Sequence, residues 1–188
     1  MKNKIIKLFC FVIIAQICLY ACCTDTYNVF VNVVDFTVRD EADDNINSIS
    51  NADFNLFAKV DYDRTLVAAL SKQSGFINTA NATSCDQEDI VTKRVTTIEL
   101  FADAPLFGIE AGNSLNNHVR TGFGHISNNF NMNDMVAAIN LEQTNHSQEY
   151  YLTFDTPIPS ETTVTFRIIF TFENGEQLER TAPQVTFE

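Results

Sequence analysis

The chain has 188 residues, with 24 acidic side chains against 12 basic ones and a formal net charge of −12. A field of that sign repels polyanions, which argues against nucleic acid and anionic lipid head groups as partners. Sixteen Phe and no Trp point to a β-rich core, because phenylalanine and β-branched residues fit pleated, half-buried surfaces.

Residues 1 to 7 carry Lys2, Lys4 and Lys7 and no acid, and residues 8 to 21 form an apolar stretch broken only by Gln16. That is the n-region and h-region of a secretory signal. Fourteen residues at the helical rise cover about 21 Å, short of the roughly 30 Å hydrocarbon slab, so a permanent transmembrane helix is the weaker reading. The stretch ends Leu19, Tyr20, Ala21, Cys22, which resembles the bacterial lipobox: an aliphatic residue, a variable one, a small one, then the acylated cysteine. Tyr20 is bulkier than usual there. The expectation is a lipoprotein signal peptide over 1–21, cleavage before Cys22, lipid on Cys22 and a single domain over 22–188. The alternative is an ordinary signal peptide removed without lipidation. Several acyl tails on Cys22, at about 0.8 kcal/mol per buried methylene, make a stable membrane anchor. The processed chain has 167 residues, within the range of one domain, and nine basic residues against 24 acidic ones, a net charge of −15.

Cys10 and Cys18 leave with the signal and Cys22 is consumed by lipid, so Cys23 and Cys85 remain. Outside the cytoplasm thiols are oxidised, and the pair reads first as a disulfide, with two separate thiols as the alternative. It would close a loop of 62 residues, for which chain-entropy models give about 4 kcal/mol and practice usually less. Neither cysteine has metal-ligand spacing around it.

In chain order, residues 27 to 38 read as a strand. Val29, Val31 and Val33 stand on one phase and Val34, Phe36 and Val38 on the other, so the strand contains a bulge or is buried on both faces. Residues 39 to 52 read as a polar loop. Phe54, Leu56, Ala58, Val60 and Tyr62 then alternate with polar residues, with Phe57 alone breaking the polar side. Residues 64 to 70 extend that strand in preference to a short helix. A long connection from 71 to 92 follows, and then a strand over 94 to 102. Gly108, Gly112 and seven asparagines between 113 and 133 mark an extended irregular region, of a length that is often functional or mobile. Met132, Met135, Val136 and Ile139 recur at helical spacing behind Asn131 and Asp134, which stand where an N-cap and its N3 partner belong. One short helix is expected there, its methionines serving as packing.

The last third alternates most clearly. Tyr150, Leu152 and Phe154 form one strand, Pro157 and Pro159 break it, and Val164, Phe166, Ile168, Phe170 and Phe172 form the next. Asn174 and Gly175 signal a two-residue type I′ hairpin. The returning strand carries Leu178, Val185 and Phe187, with Pro183 assigning it to an edge or a bulge. Six or seven strands and one helix predict an all-β, mainly β fold: a two-sheet antiparallel β-sandwich, immunoglobulin-like, with one short helix.

His118, His125 and His146 form no H-x-H or H-E-x-x-H pattern, and His118 and His125 read as solvated loop residues. Gly122, Phe123, Gly124 and His125 look like a flexible turn. Asp40, Glu41, Asp43 and Asp44, with Asn45 and Asn47, offer hard oxygen ligands but lack the central Gly and terminal Glu of a calcium loop, so a solvated loop is the plainer reading. No G-x-S-x-G elbow, P-loop or G-x-G-x-x-G is present. No catalytic residue, cofactor or metal ligand is therefore assigned.

Leu19 to Cys23, the segment 78–86 (NTANATSCD), the segment 97–102 (TIELFA) followed by Ala111, Gly112 and Leu115, and the terminal hairpin together resemble one family, a domain-of-unknown-function family of small Bacteroidetes lipoproteins. The resemblance implies a cell-envelope location and brings no catalytic residue. It places a cysteine near residue 85 beside one after the anchor, in agreement with the disulfide reading. The segment after Cys22 (CTDTY) holds a single acid, Asp25, instead of the acidic cluster associated with surface export, so the periplasmic and surface faces of the outer membrane both stay open. The expected function is a non-enzymatic, lipid-anchored binding or accessory module whose partner is a protein or a glycan. The second expectation is a glycan or small-ligand binding lipoprotein, with Tyr150 and Tyr151 in place of the missing Trp platform, and the third is an envelope hydrolase.

Overall fold

The computed structural model describes residues 25–39, 48–51, 54–68, 87–123, 130–141 and 147–188. The signal segment, Cys22, Cys23, Cys85, the acidic run 40–47, His125 and His146 lie outside them. Two units are distinguished: Val29–Asp63 with Val91–Glu188, and Met1–Asn28 with Arg64–Ile90. Of the smaller unit only the ends of three strands are described, and within it the Arg64 guanidinium lies 5.5 Å from the Tyr27 ring centre.

The fold is mainly β. Its strands are β1 (Asp25–Arg39), β2 (Ser48–Ile49), β3 (Asn55–Ala68), β4 (Gln87–Lys93), β5 (Val95–Ala102), β6 (Val119–Phe123), β7 (Gln148–Phe154), β8 (Thr163–Val164), β9 (Phe166–Phe172), β10 (Gln177–Thr181) and β11 (Val185–Phe187). Among the described residues one α-helix, α1 (Met132–Leu141), follows β6. Hydrogen bonding groups the strands into three sheets, ordered β4-β1-β3-β7-β6, β10-β9-β5 and β2-β11-β8. The expected arrangement differs in three respects: the described strands form three sheets and not two, they number eleven, and β11 pairs parallel to β2.

Period-2 patterning explains the larger unit's core. Leu56, Ala58 and Val60 of β3 are fully buried and face Leu152, Tyr150 and Gln148 of β7, and Thr121 and Phe123 of β6 oppose the same Leu152 and Tyr150. In the second sheet Phe166, Ile168 and Phe170 of β9 oppose Ala102, Leu100 and Ile98 of β5, all buried. Phe54 joins the three sheets, its ring 5.8 Å from Phe154, 5.7 Å from Phe166 and 4.9 Å from Phe187. In β1 the buried set shifts from Val29 and Val31 to Phe36 and Val38, and Thr37 is buried as well, so that end is covered on both faces. Phe57, the residue that broke the polar side of β3, is fully buried under the Arg39 guanidinium at 3.6 Å and edge-on to Tyr151.

Four local expectations are corrected. The end of the connection expected over 71–92 belongs to β4, an edge strand beside β1. The strand expected through Val164 and Phe172 breaks at Thr165, whose amide donates to Asp103 Oδ1 at 2.7 Å while its carbonyl accepts from the Asp103 amide at 3.1 Å. The returning strand breaks at 182–184 around Pro183, so both strands change sheet at the same level. The turn at Asn174 and Gly175 is not type I′, since only Gly175 has positive φ, at 81°. Phe172 pairs with Glu176 around a three-residue loop, and Asn174 Oδ1 accepts from the Glu176 amide at 3.0 Å. Lys93, with Asn174, holds the Glu176 carboxyl below its ordinary value by hydrogen bonding. The turn with two positive φ angles is instead Phe107 (56°) and Gly108 (78°), closed by paired bonds between Leu106 and Ile109.

The region expected to be irregular from 103 to 131 carries that turn, a 3-10 turn (Asn116–His118) and β6. Gly122 and Phe123, read as a flexible turn, are strand residues paired with Tyr151 and Tyr150. Asparagine side chains complete the sheet hydrogen bonding here. Asn116 Oδ1 accepts from the Leu100 amide at 3.0 Å and its Nδ2 donates to the Ile98 carbonyl at 2.7 Å. Asn140, on α1, makes the same two bonds to Val95 at 3.0 and 2.8 Å. Each side-chain amide presents one donor and one acceptor, as a strand residue would, and so closes part of the free edge of β5.

Candidate functional site

The helix starts as its sequence predicts. Asn131 Oδ1 accepts from the amides of Asn133 and Asp134 at 2.8 and 3.1 Å, and Asp134 Oδ2 accepts from the Asn131 amide at 2.9 Å, a reciprocal cap. Met132, Met135 and Ile139 face the core and are buried, so the methionines serve as packing. A second face of α1 recurs at the same spacing: Asp134, Ala137, Ala138 and Leu141.

That second face lines a hollow of about 360 Å³ in the larger unit, closed on its other side by Thr121, Gly122, Phe123, Phe130 and Tyr150, with Met135 at its base. Its aromatic wall is packed, Phe123 lying 5.6 Å from Tyr150 between ring centres. The hydroxyls that line it already have partners. The Thr121 hydroxyl donates to the Asn131 carbonyl at 3.4 Å, the Tyr150 hydroxyl donates to Gln148 Oε1 at 2.5 Å, and the backbones of Thr121 and Phe130 bond each other at 2.8 and 3.3 Å. The two large apolar side chains exposed among the larger unit's described residues, Phe130 at 47 % and Leu141 at 83 %, both stand on its rim. Among the described residues the lining carries one charge, Asp134.

A polar cluster lies where β6 begins and β7 ends. The His118 ring stacks on Phe107 at 4.9 Å, and its Nδ1 lies 3.3 Å from Asp155 Oδ1. Arg120 donates to Asp155 Oδ2 at 3.2 Å and to the Val119 carbonyl at 3.1 Å, and the Asp155 amide donates to the His118 carbonyl at 3.0 Å. His118 is therefore half-buried and held, not the solvated loop residue its surroundings suggested. Thr156 donates to Asp155 Oδ1 as well, at 3.1 Å. The arrangement ties two strand ends together. Phe107 holds a positive φ, which costs a bulky residue about 1–3 kcal/mol, and its packing on His118 and on Phe154 at 5.1 Å offsets that cost.

Tyr150 and Tyr151 do not form a surface platform: Tyr150 is buried in the wall of the hollow and Tyr151 is half-buried against Phe57. Cys22, Cys23 and Cys85 lie outside the described residues. Among the described residues no helix is long and apolar enough to cross a membrane, and no three His, Cys, Asp or Glu side chains gather in ligating range. The hollow was missed in the sequence because its apolar residues look like core residues. The signal that could have found it is the second apolar stripe of α1 ending at Leu141. Against known proteins, no family model matches the chain and no curated protein matches its sequence.

Proposed function

We propose that this chain is a lipid-anchored, non-enzymatic binding module of the bacterial cell envelope. In this reading it is an immunoglobulin-like β-sandwich of the Bacteroidetes lipoprotein type described above, held to the outer membrane through Cys22 and cross-linked between Cys23 and Cys85. The leader and the apolar run ending in Cys22 support the address. A β scaffold does not specify function, so the binding part of the reading rests on one observation, the apolar hollow beside α1. At about 360 Å³ it falls within the ~300–1,000 Å³ range of ligand pockets, and its lining is apolar and aromatic. Glycan capture is the weaker form of the reading, because Tyr150 has no exposed face to offer a sugar ring.

A thermal-shift panel of sugars and small apolar compounds tests this on the lipid-free mature protein and on Ala137→Phe, which places a ring in the hollow from an exposed helix position. The expected result is a saturable rise with apolar compounds that is lost in the variant. A saturable rise with a sugar that survives Ala137→Phe would overturn the assignment in favour of glycan binding elsewhere.

A further inference from the structure

We propose that the hollow beside α1 takes the tail of a single-chain cationic amphiphile, an alkyl or aryl amine or quaternary ammonium, with the cationic head at Asp134. The proposal rests on the binding-module reading above and goes beyond it by naming the ligand class. Four observations carry it. The volume, about 360 Å³, is more than twice the roughly 150 Å³ that suffices for benzene, so it admits a longer hydrocarbon body. The polar atoms of Thr121 and Tyr150 are bonded within the protein, so the interior asks nothing polar of its guest. Phe130 and Leu141 leave apolar surface at the rim, which a tail reaching the mouth would cover.

The fourth observation is charge. Among the described residues Asp134 is the one charged member of the lining; it is exposed, its Oδ2 accepts from the Asn131 amide, and its Oδ1 faces no hydrogen-bond donor among those residues. An ammonium head meets an attractive charge there, within a chain whose net charge of −12 also draws cations. A carboxylate or sulfate head of the same tail length meets repulsion from both. Exposed charge pairs are weak, so the preference between heads is modest, about 1.5- to fivefold, and the tail supplies most of the affinity.

The test holds the tail constant and changes the head. Decyltrimethylammonium, decanol and undecanoate, which share the same decyl chain, are titrated into the mature protein by ligand-observed NMR below their micelle concentrations or solubility limit, with Asp134→Asn and Ala137→Phe alongside. Asparagine keeps an acceptor for the Asn131 amide, and circular dichroism checks that α1 persists. The expected order is ammonium, then alcohol, then carboxylate. Asp134→Asn brings the ammonium and the alcohol within about twofold of each other, and Ala137→Phe weakens the ammonium and the alcohol at least tenfold. Undecanoate binding as tightly as the ammonium overturns the head-group assignment while leaving the hollow an apolar site. Binding of none of the three, or binding unchanged by Ala137→Phe, overturns the site itself.

Discussion

Replacing Asn116 by Ala removes two hydrogen bonds that no backbone group makes in its place: the one accepted from the Leu100 amide at 3.0 Å and the one donated to the Ile98 carbonyl at 2.7 Å. Both backbone partners belong to β5, whose Ile98 and Leu100 side chains are buried. Each bond contributes about 0.5–1.5 kcal/mol net, and a backbone group left unsatisfied raises the cost toward 1–3 kcal/mol. The two together therefore predict a loss of about 2–4 kcal/mol. With a urea m-value of about 2 kcal/mol/M, the midpoint should fall by roughly 1–2 M. Asn117→Ala, one residue on at an exposed position, should stay within about 0.5 kcal/mol and serves as the control. Urea unfolding followed by far-ultraviolet circular dichroism reads both variants. Equal midpoints for Asn116→Ala and Asn117→Ala would refute the argument that the side-chain amide acts as a strand residue.

Three further outcomes follow from the same structure. Gly175→Ala adds a Cβ that meets nothing within 4 Å, so its only cost is the positive φ of 81°, and a loss of about 1–2 kcal/mol in urea unfolding is expected; no loss would mean that the loop adopts another conformation. Phe54→Ala empties the position where rings from three sheets meet and should cost about 3–5 kcal/mol by the same assay, whereas a loss under about 1 kcal/mol would deny a shared core. Glu176, whose carboxyl Lys93 holds below the ordinary 4.5, contributes stability that is present above its unfolded value and is lost as pH falls through the folded one. The stability gap between the native protein and Glu176→Gln should therefore be open at neutral pH and close below the carboxylate range, and a gap that widens on acidification would reverse the sign of the argument.

Much of the β architecture is legible in the sequence because burial imposes a period of two. The alternation in β3, β7 and β9 marks the buried faces, and Asn131 with Asp134 marks the start of α1. What the sequence does not carry is the partner of each backbone group. The break at Thr165 depends on Asp103, far away in the chain, and the order of 103–123 depends on Asn116 reaching across to β5. A strand-disfavouring residue read locally as a loop thus completes a sheet. The type I′ turn was misplaced for a similar reason: the Asn174 side chain is engaged by the Glu176 amide, while Phe107 takes the positive φ because packing on His118 and Phe154 holds it. The hollow was hidden because one helix has two apolar stripes, and the core accounts for only the first.

The lipid-anchored reading is tested most directly by mass spectrometry of the native chain's N-terminus, purified from the membranes of cells that express it from its own signal. The account predicts a first residue Cys22 bearing a diacylglyceryl thioether and an acylated amine, with residues 1–21 gone. An unmodified N-terminus, or a chain that keeps its leader, would contradict it.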